Sequence, residues 1–494
     1  MHHRTLDSPG IGGIASAYAP SVSPLIWTEF RPDLGEFDEF QHPRSAAGGR
    51  VLKSHYQGPD VPIRLIMTAD GVEWSELPLP DGFHVADLGS DADPSIDIAG
   101  DRWIAFGWDV TRDPHENVGR EVWFSDDQGS SWIEANIETP RRSEPLPPYA
   151  IEESAVLEAL AWGDRLIVVA RTITRLDLEA LLSDRGLVPS GKILANWLPS
   201  GRGFTLTFAE LPPEGEPARR GRDRWRLQEL EMSPEDLGLS IRQQELLQKR
   251  QETVIRIYAG DGPSLPMAAE YERWVYKITG TASAEGIVLA TQGEWETLLT
   301  SADGLAWVEE PLGSVELWAA GGGDGALWAA GRARKAMRID RIRYRDGQAT
   351  VALKEDVKNL SSFAAGRAGV VLAGLTGRSA KEEPGLMRTR VRKAGRTYTH
   401  GGHGDYRADE LWLGWSTDGD TFEWQPASEA FGVDPRRRIS VRLAVGKDFF
   451  LAEVSDFGIR PKIPRDTDIG FNPNPADGWI PAAVPRHWFM ARVG

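Results

Sequence analysis

The chain has 494 residues, 41% of them hydrophobic and 26% charged, which allows a large core and excludes a disordered or collagen-like polymer. Its 73 acidic against 56 basic residues give a formal net charge of −17, which disfavours nucleic acid and anionic lipid as partners. There is no cysteine, which excludes disulfides, thiolate zinc sites and a cysteine nucleophile, and no run approaches the roughly 18 apolar residues of a membrane span.

In chain order, residues 1–22 read as a flexible leader without the basic and apolar regions of a secretion signal. The expected compartment is cytoplasmic if that start is native and extracellular if a signal segment was trimmed. Gly10-Ile11-Gly12-Gly13 follows no strand and so is no phosphate loop. Leu25 to Phe30 reads as a strand. From there the 19 Trp and 52 Gly accompany many short β-rich runs, and a segment recurs. An apolar strand leads to a small hydroxylated residue, then Asp and Gly, then an aromatic residue. The copies are Thr68-Ala69-Asp70-Gly71-Val72-Glu73-Trp74, Ser125-Asp126-Asp127-Gln128-Gly129-Ser130-Ser131-Trp132, Ser301-Ala302-Asp303-Gly304-Leu305-Ala306-Trp307 and Ser416-Thr417-Asp418-Gly419-Asp420-Thr421-Phe422. Degenerate copies centre on Asp261-Gly262 and Asp346-Gly347. Each reads as a hairpin turn in which Asp accepts hydrogen bonds from the turn backbone, Gly supplies a positive φ and the ring folds back as an anchor. A second recurrent strand opens on a Gly turn at Gly100, Gly163, Gly325 and Gly446.

The four aromatic copies resemble the Asp-box, or bacterial neuraminidase repeat, Ser-x-Asp-x-Gly-x-Thr-Trp, of the sialidase-like β-propellers. The copy at 125–132 keeps the full spacing, with Ser131 at the Thr position, and the other three are one residue shorter. The resemblance implies an all-β fold, a β-propeller of four-stranded blades. Asp261, Asp303 and Asp346 are 42 and 43 residues apart, within the ~40–50 residues of a blade. Seven blades are expected, with six as the alternative. The last blade, built from 440–454 and His487 to Val493, lacks a fourth strand that Leu25 to Phe30 can supply, making residues 23–494 a single propeller.

Long insertions fall between second and third strands, at about 109–120, 175–252, 376–409 and 455–485, and so decorate one face. The largest, 175–252, is expected to be an α+β subdomain on blade 3. It would hold a helix capped by Asp177, a hairpin from Ile193 to Phe208, and a helix opened by the capping box Ser240 to Gln243 and running to about Glu252. Gln243, Gln244, Lys249 and Arg250 are expected on its solvated side.

The resemblance to sialidases would imply three arginines for a carboxylate, a Tyr/Glu nucleophile and an acid/base Asp. The family's Arg-Ile-Pro signature is absent, so the activity is not carried over and the reading leans away from an enzyme. The expectation is a binding or assembly scaffold for a protein or glycan, with a carbohydrate-active hydrolase or lyase as the alternative. Trp108 and Trp197, beside or within insertions, are candidate stacking platforms, and Arg460, Lys462 and Arg465 candidate contacts for an anionic group. His400, His403 and Asp405, on a Gly-rich loop, could supply ligands to a divalent metal, and no other cofactor is expected. Asp109, Asp113, His115 and Glu116 form a weaker cluster of the same type.

Overall fold

The structure is a computed structural model that describes residues 25–32, 34, 43–46, 49–55, 64–80, 83–84, 95–99, 102–109, 121–138, 145–190, 192–200, 203–210, 227–312, 316–323, 325–333, 336–344, 347–351, 357, 359–375, 390–393, 396–399, 411–417, 421–433, 439–456 and 486–493. The fold is all-β. Among the described residues there are three short helices, Leu178–Asp184, Ile241–Lys249 and Ala427–Phe431, and none is long and apolar enough to cross a membrane.

Among the described residues, seven antiparallel sheets of four or more strands follow one another along the chain, with smaller two- and three-stranded sheets besides. Sheet I is Arg44–Ala46, Arg50–His55, Arg64–Thr68 and Ser75–Glu76. Sheet II is Ser95–Ala99, Arg102–Asp109, Glu121–Ser125 and Ile133–Glu134, with Phe83–His84 added at the far end of its second strand. Sheet III holds Ala150–Trp162, Arg165–Leu176, Glu252–Gly260 and Met267–Tyr271. Sheet IV comprises Val275–Ser283, Gly286–Gly293, Thr297–Ser301 and Val308–Pro311. Sheet V contains Glu316–Gly323, Ala326–Ala333, Ala336–Arg343 and Gly347–Val351. Sheet VI is formed by Asn359–Gly366, Gly369–Leu375, Leu411–Ser416 and Glu423–Pro426. Sheet VII takes Ile439–Val445, Phe449–Asp456 and Arg486–Arg492, and its fourth strand is Thr28–Phe30, with Thr28 opposite Met490 and Phe30 opposite Trp488. The strand missing near the chain's end is thus supplied from its beginning.

Each sheet buries apolar residues on both faces, because its second strand carries apolar residues at successive positions, as in sheet V, where Leu327 and Ala329 face one neighbour and Ala326, Trp328 and Ala330 the other. Ile104, Val122 and Phe124 of sheet II pack on Val168 and Tyr258 of sheet III. Ile167 and Ile257 of sheet III meet Ile287 and Leu299 of sheet IV. The same layering continues between IV and V, V and VI, and VI and VII. Val51 and Ile66 of sheet I pack on Phe449, Leu451 and Trp488 of sheet VII, and the I/II interface is built on Leu52, Leu65, Trp103 and Trp123. The first strands of successive sheets are neighbours, and so are those of sheets VII and I.

The recurrent turns at Asp70, Asp127 and Asp303 have the expected chemistry, whereas Gly262 of the degenerate turn does not take the expected positive φ, and Asp346, Asp418 and Gly419 lie outside the described residues. Buried Ser125 donates from Oγ to Asp127 Oδ1 (2.7 Å) and accepts from the Gly129 amide (2.7 Å), while Asp127 accepts from the Ser131 amide (2.8 Å) and hydroxyl (2.6 Å). Thr68 with Asp70, and Ser301 with Asp303, repeat the pattern. Gly129 has φ +82°, and a Cβ there would lie 2.8 Å from the Trp103 ring, so both the backbone and the space require glycine. The anchors fill seams between sheets. Trp74 packs into the VII/I cluster, Trp132 into I/II, Trp307 into III/IV and Phe422 into V/VI. In the degenerate turn of sheet III, Leu265 is fully buried at the aromatic position, and Ser264–Leu265 pairs in parallel with Asn136–Ile137.

On this face arginines staple one sheet to the next. Arg102 hydrogen-bonds to the Asp164 carbonyl of sheet III and holds Asp126 at 2.6 Å, and Arg165 bonds the Asp303 carbonyl of sheet IV and reaches Asp261 at 3.2 Å.

Candidate functional site

The opposite face carries the connections between second and third strands. In sheet III that connection is a folded unit. Asp177 caps helix Leu178–Asp184 by accepting from the Ala180 amide (2.9 Å). Lys192–Ser200, Gly203–Glu210 and Leu227–Met232 form a three-stranded sheet. Ser240 and Gln243 close the expected capping box on helix Ile241–Lys249. The unit has its own core, in which Leu181, Leu182, Leu206, Phe208, Leu237, Leu246 and Leu247 are buried.

Two expectations for this unit are corrected. The helix ends at Lys249, and Glu252 begins the third strand of sheet III. Gln243 is not on the solvated side: it is 5% exposed, because its amide is consumed twice, accepting from the Ser240 amide through Oε1 (2.9 Å) and donating from Nε2 to the Pro148 carbonyl (2.7 Å). That second bond and Asp177 N to Tyr149 O (2.7 Å) clamp the unit to the sheet. Arg242 forms a two-pronged pair with Glu252, one bond at 2.7 Å, fixing the helix to the strand that follows. Burial raises the Glu252 carboxyl, but Arg242 and Lys249 outweigh it and hold it below its ordinary value.

Beside this unit, where sheet III passes into sheet IV, four aromatic residues gather around the link 271–276. Tyr271 and Trp295 have ring centroids 5.1 Å apart, and Trp274 and Tyr276 5.8 Å apart at 54°. The Arg273 guanidinium lies 5.9 Å from the Trp295 ring centre, and the Trp295 indole donates to Glu309 (2.8 Å). Arg171 fixes the start of sheet IV by donating to the Val275 carbonyl (3.0 Å). Gly293, at φ +151°, is the floor under Trp274: a Cβ there would sit 2.8 Å from the Trp274 carbonyl and 3.1 Å from its ring. Burial, then the Glu309 carboxylate, raises the Tyr271 phenol above its ordinary value, so it stays neutral at physiological pH. Trp274 is half-buried, Tyr276 is 41% exposed, and Glu272, Arg273, Lys277, Glu294 and Glu309 are all exposed. Chemically this is a rigid aromatic platform with a rim of charge, suited to stacking a planar or cationic group.

Of the residues singled out from sequence, Trp197 lies on strand Lys192–Ser200, half-buried, edge-on to Phe204 (6.0 Å) and beneath the Arg250 guanidinium (5.5 Å). Trp108 pairs through its backbone with His84, and its side chain lies outside what is described. Arg460, Lys462, Arg465, His400, His403 and Asp405, with Asp113, His115 and Glu116, lie outside the described residues. Among the described residues no three His, Asp or Glu are grouped to hold a metal. The aromatic platform was missed from sequence. Its one signal was Tyr271-Glu272-Arg273-Trp274-Val275-Tyr276, three aromatic residues in six at a junction between repeats.

No protein-family model and no curated protein matches the chain. Among solved structures, the endosialidase of phage phi92 is 10% identical, with 95% of this chain and 69% of that one covered at a TM-score of 0.35. An α-L-arabinofuranosidase of Fusarium graminearum in complex with an iminosugar inhibitor is 10% identical over 94% of this chain and 97% of that one, at 0.32. An acylaminoacyl peptidase of Pyrococcus horikoshii reaches 0.30 at 10% identity, covering 88% of this chain and 60% of that one. Overlaps of this size do not select one chemistry, and glycosidases and peptidases stand side by side.

Proposed function

We propose that the chain is a seven-bladed, Asp-box, sialidase-like β-propeller acting as a non-enzymatic binding or assembly scaffold. Its partner is a protein or glycan, engaged through the face bearing the second-to-third-strand insertions. Seven sheets in sequence, the packing of sheet VII on sheet I and the strand Thr28–Phe30 support the blade count. The domain reading follows from it: one propeller over 23–494 behind a leader at 1–22, with 175–252 as a subdomain.

The function rests on one observation. The sheet III insertion is capped, cored and clamped to the sheet, which costs ordering entropy that a merely tolerated loop would not incur. Within this reading Trp108, Trp197, Arg460, Lys462 and Arg465 are ligand contacts, and His400, His403 and Asp405 a divalent-metal site.

The test is to incubate the protein with a panel of oligosaccharides and proteins, and to weigh the recovered ligands by mass spectrometry. Retention of an intact ligand is expected, lost when 178–250 is replaced by a short Gly-Asn turn while the main thermal transition stays. Cleaved oligosaccharide would overturn the scaffold reading in favour of a carbohydrate hydrolase or lyase.

A further inference from the structure

We infer that the aromatic platform between sheets III and IV binds a cationic peptide segment, with an arginine or lysine side chain stacked on Trp274 and Tyr276 between Glu272 and Glu294. This inference rests on the scaffold reading, and it names a ligand class and residues for one part of the decorated face.

Three features carry it. The first is rigidity. Trp274 is seated on the backbone of Gly293, at a φ that L residues rarely adopt, and the strand start behind it is tied by Arg171 to the Val275 carbonyl. A ring held in place before binding loses little entropy on stacking.

The second feature is the sign of the rim. Glu272 is two residues from Trp274, Glu294 follows the glycine beneath it, and Glu309 is bonded to the neighbouring indole, all three exposed. Against them stand Arg273, which lies over Trp295, and Lys277. The chain's net charge of −17 adds a long-range field of the same sign, which draws in cations and repels acidic ligands. Charge complementarity therefore favours a basic occupant over a neutral or acidic one.

The third feature is precedent within the molecule. Lys53 lies 4.4 Å from the Trp488 ring centre, Arg50 5.0 Å from Trp103, Arg250 5.5 Å from Trp197 and Arg273 5.9 Å from Trp295. The Arg273 contact shows a guanidinium accommodated on this very cluster.

The experiment is fluorescence anisotropy with a fluorescein-labelled decapeptide of Gly-Arg repeats, with Gly-Lys and Gly-Glu versions, and a labelled neutral oligosaccharide as controls. The expected result is binding of the Arg and Lys peptides that weakens with added salt, and no binding of the Glu peptide. Trp274→Ala or Tyr276→Ala should weaken it at least 10-fold, Glu272→Gln with Glu294→Gln about 5-fold, and Tyr276→Phe should restore it, all with unchanged thermal transitions. Binding untouched by these variants, or no binding of either basic peptide, overturns the inference. If only the oligosaccharide binds, and the seam variants abolish that, the ligand class is wrong while the scaffold reading stands. If basic peptide binding is lost on replacing 178–250 but not in the seam variants, the site is wrong and the scaffold reading again stands.

Discussion

The two faces of the molecule are stabilised by different means. On the face of the Ser/Thr-Asp-Gly turns each described turn is closed by its own short-range bonds, an amide three or four residues on donating to a hydroxyl and one or two more donating to a carboxylate, and a ring then wedges into a seam. On the other face the sheet III unit is held by long-range bonds, Gln243 to Pro148 and Arg242 to Glu252. The contrast separates repeated local chemistry, which stabilises a scaffold, from chemistry that occurs once, which adapts one blade. It also predicts that damage spreads differently from the two sides.

The largest effect should come from Gly129→Ala. A methyl group at φ +82° against the buried Trp103 ring should cost about 3 kcal/mol, lowering the whole thermal transition. A change confined to local hydrogen exchange would erase the contrast. Ser125→Ala removes a fully buried hydroxyl that donates once and accepts from Gly129, and should cost about 2 kcal/mol in the same global transition. Gln243→Ala should cost about 1 kcal/mol and act locally: faster proteolysis and amide exchange within 178–250, with the main transition near its original temperature. A lowered main transition would show that the unit and the sheets unfold together.

The smallest effect is one of acidity. The Ser131 hydroxyl, then its amide and the Ser125 hydroxyl, hold Asp127 at a pKa of about 2, below the ordinary 3.8. Asp303 is lowered mainly by the Ala306 and Leu305 amides. For Asp70, burial pushes up but the Val72 and Glu73 amides prevail, and the net shift is again downward. A depressed carboxylate contributes stability that is complete above the unfolded value and lost as pH falls through the folded one. The face carrying these turns should therefore weaken between about pH 4 and pH 2. Asp127→Asn should lower the melting temperature slightly near neutrality, leave it unchanged at the acid end where the wild-type carboxyl is protonated, and so flatten that part of the profile. An unchanged acid limb would deny the turn its electrostatic role.

What was legible in the sequence was what is local. The Ser-Asp-Gly-Trp spacing implies a turn because every partner lies within a few residues, and the capping box at Ser240 was readable for the same reason. The placement of Thr28–Phe30 was readable from an account of strands, since one sheet lacked an edge. Gln243 was not, because nothing in a helical pattern marks the side chain that a carbonyl 95 residues earlier will take up. Nor was the platform at Trp274 and Tyr276. Aromatic residues at a strand start look like core in a chain with 19 Trp, and only the packing of two sheets decides which stay in reach of solvent.

The pairing of Thr28–Phe30 with Arg486–Arg492 also sets an order of events during synthesis. The earliest strand leaves the ribosome without its partner, while sheets I to VI can each form from contiguous chain. It must wait until nearly everything else has been translated. At roughly 5–20 residues per second that is tens of seconds in which an edge strand stays unprotected. Sheet VII is therefore completed by the first and last of the described strands together, and a ribosome stalled before Arg486 would leave that sheet open to wrong partners.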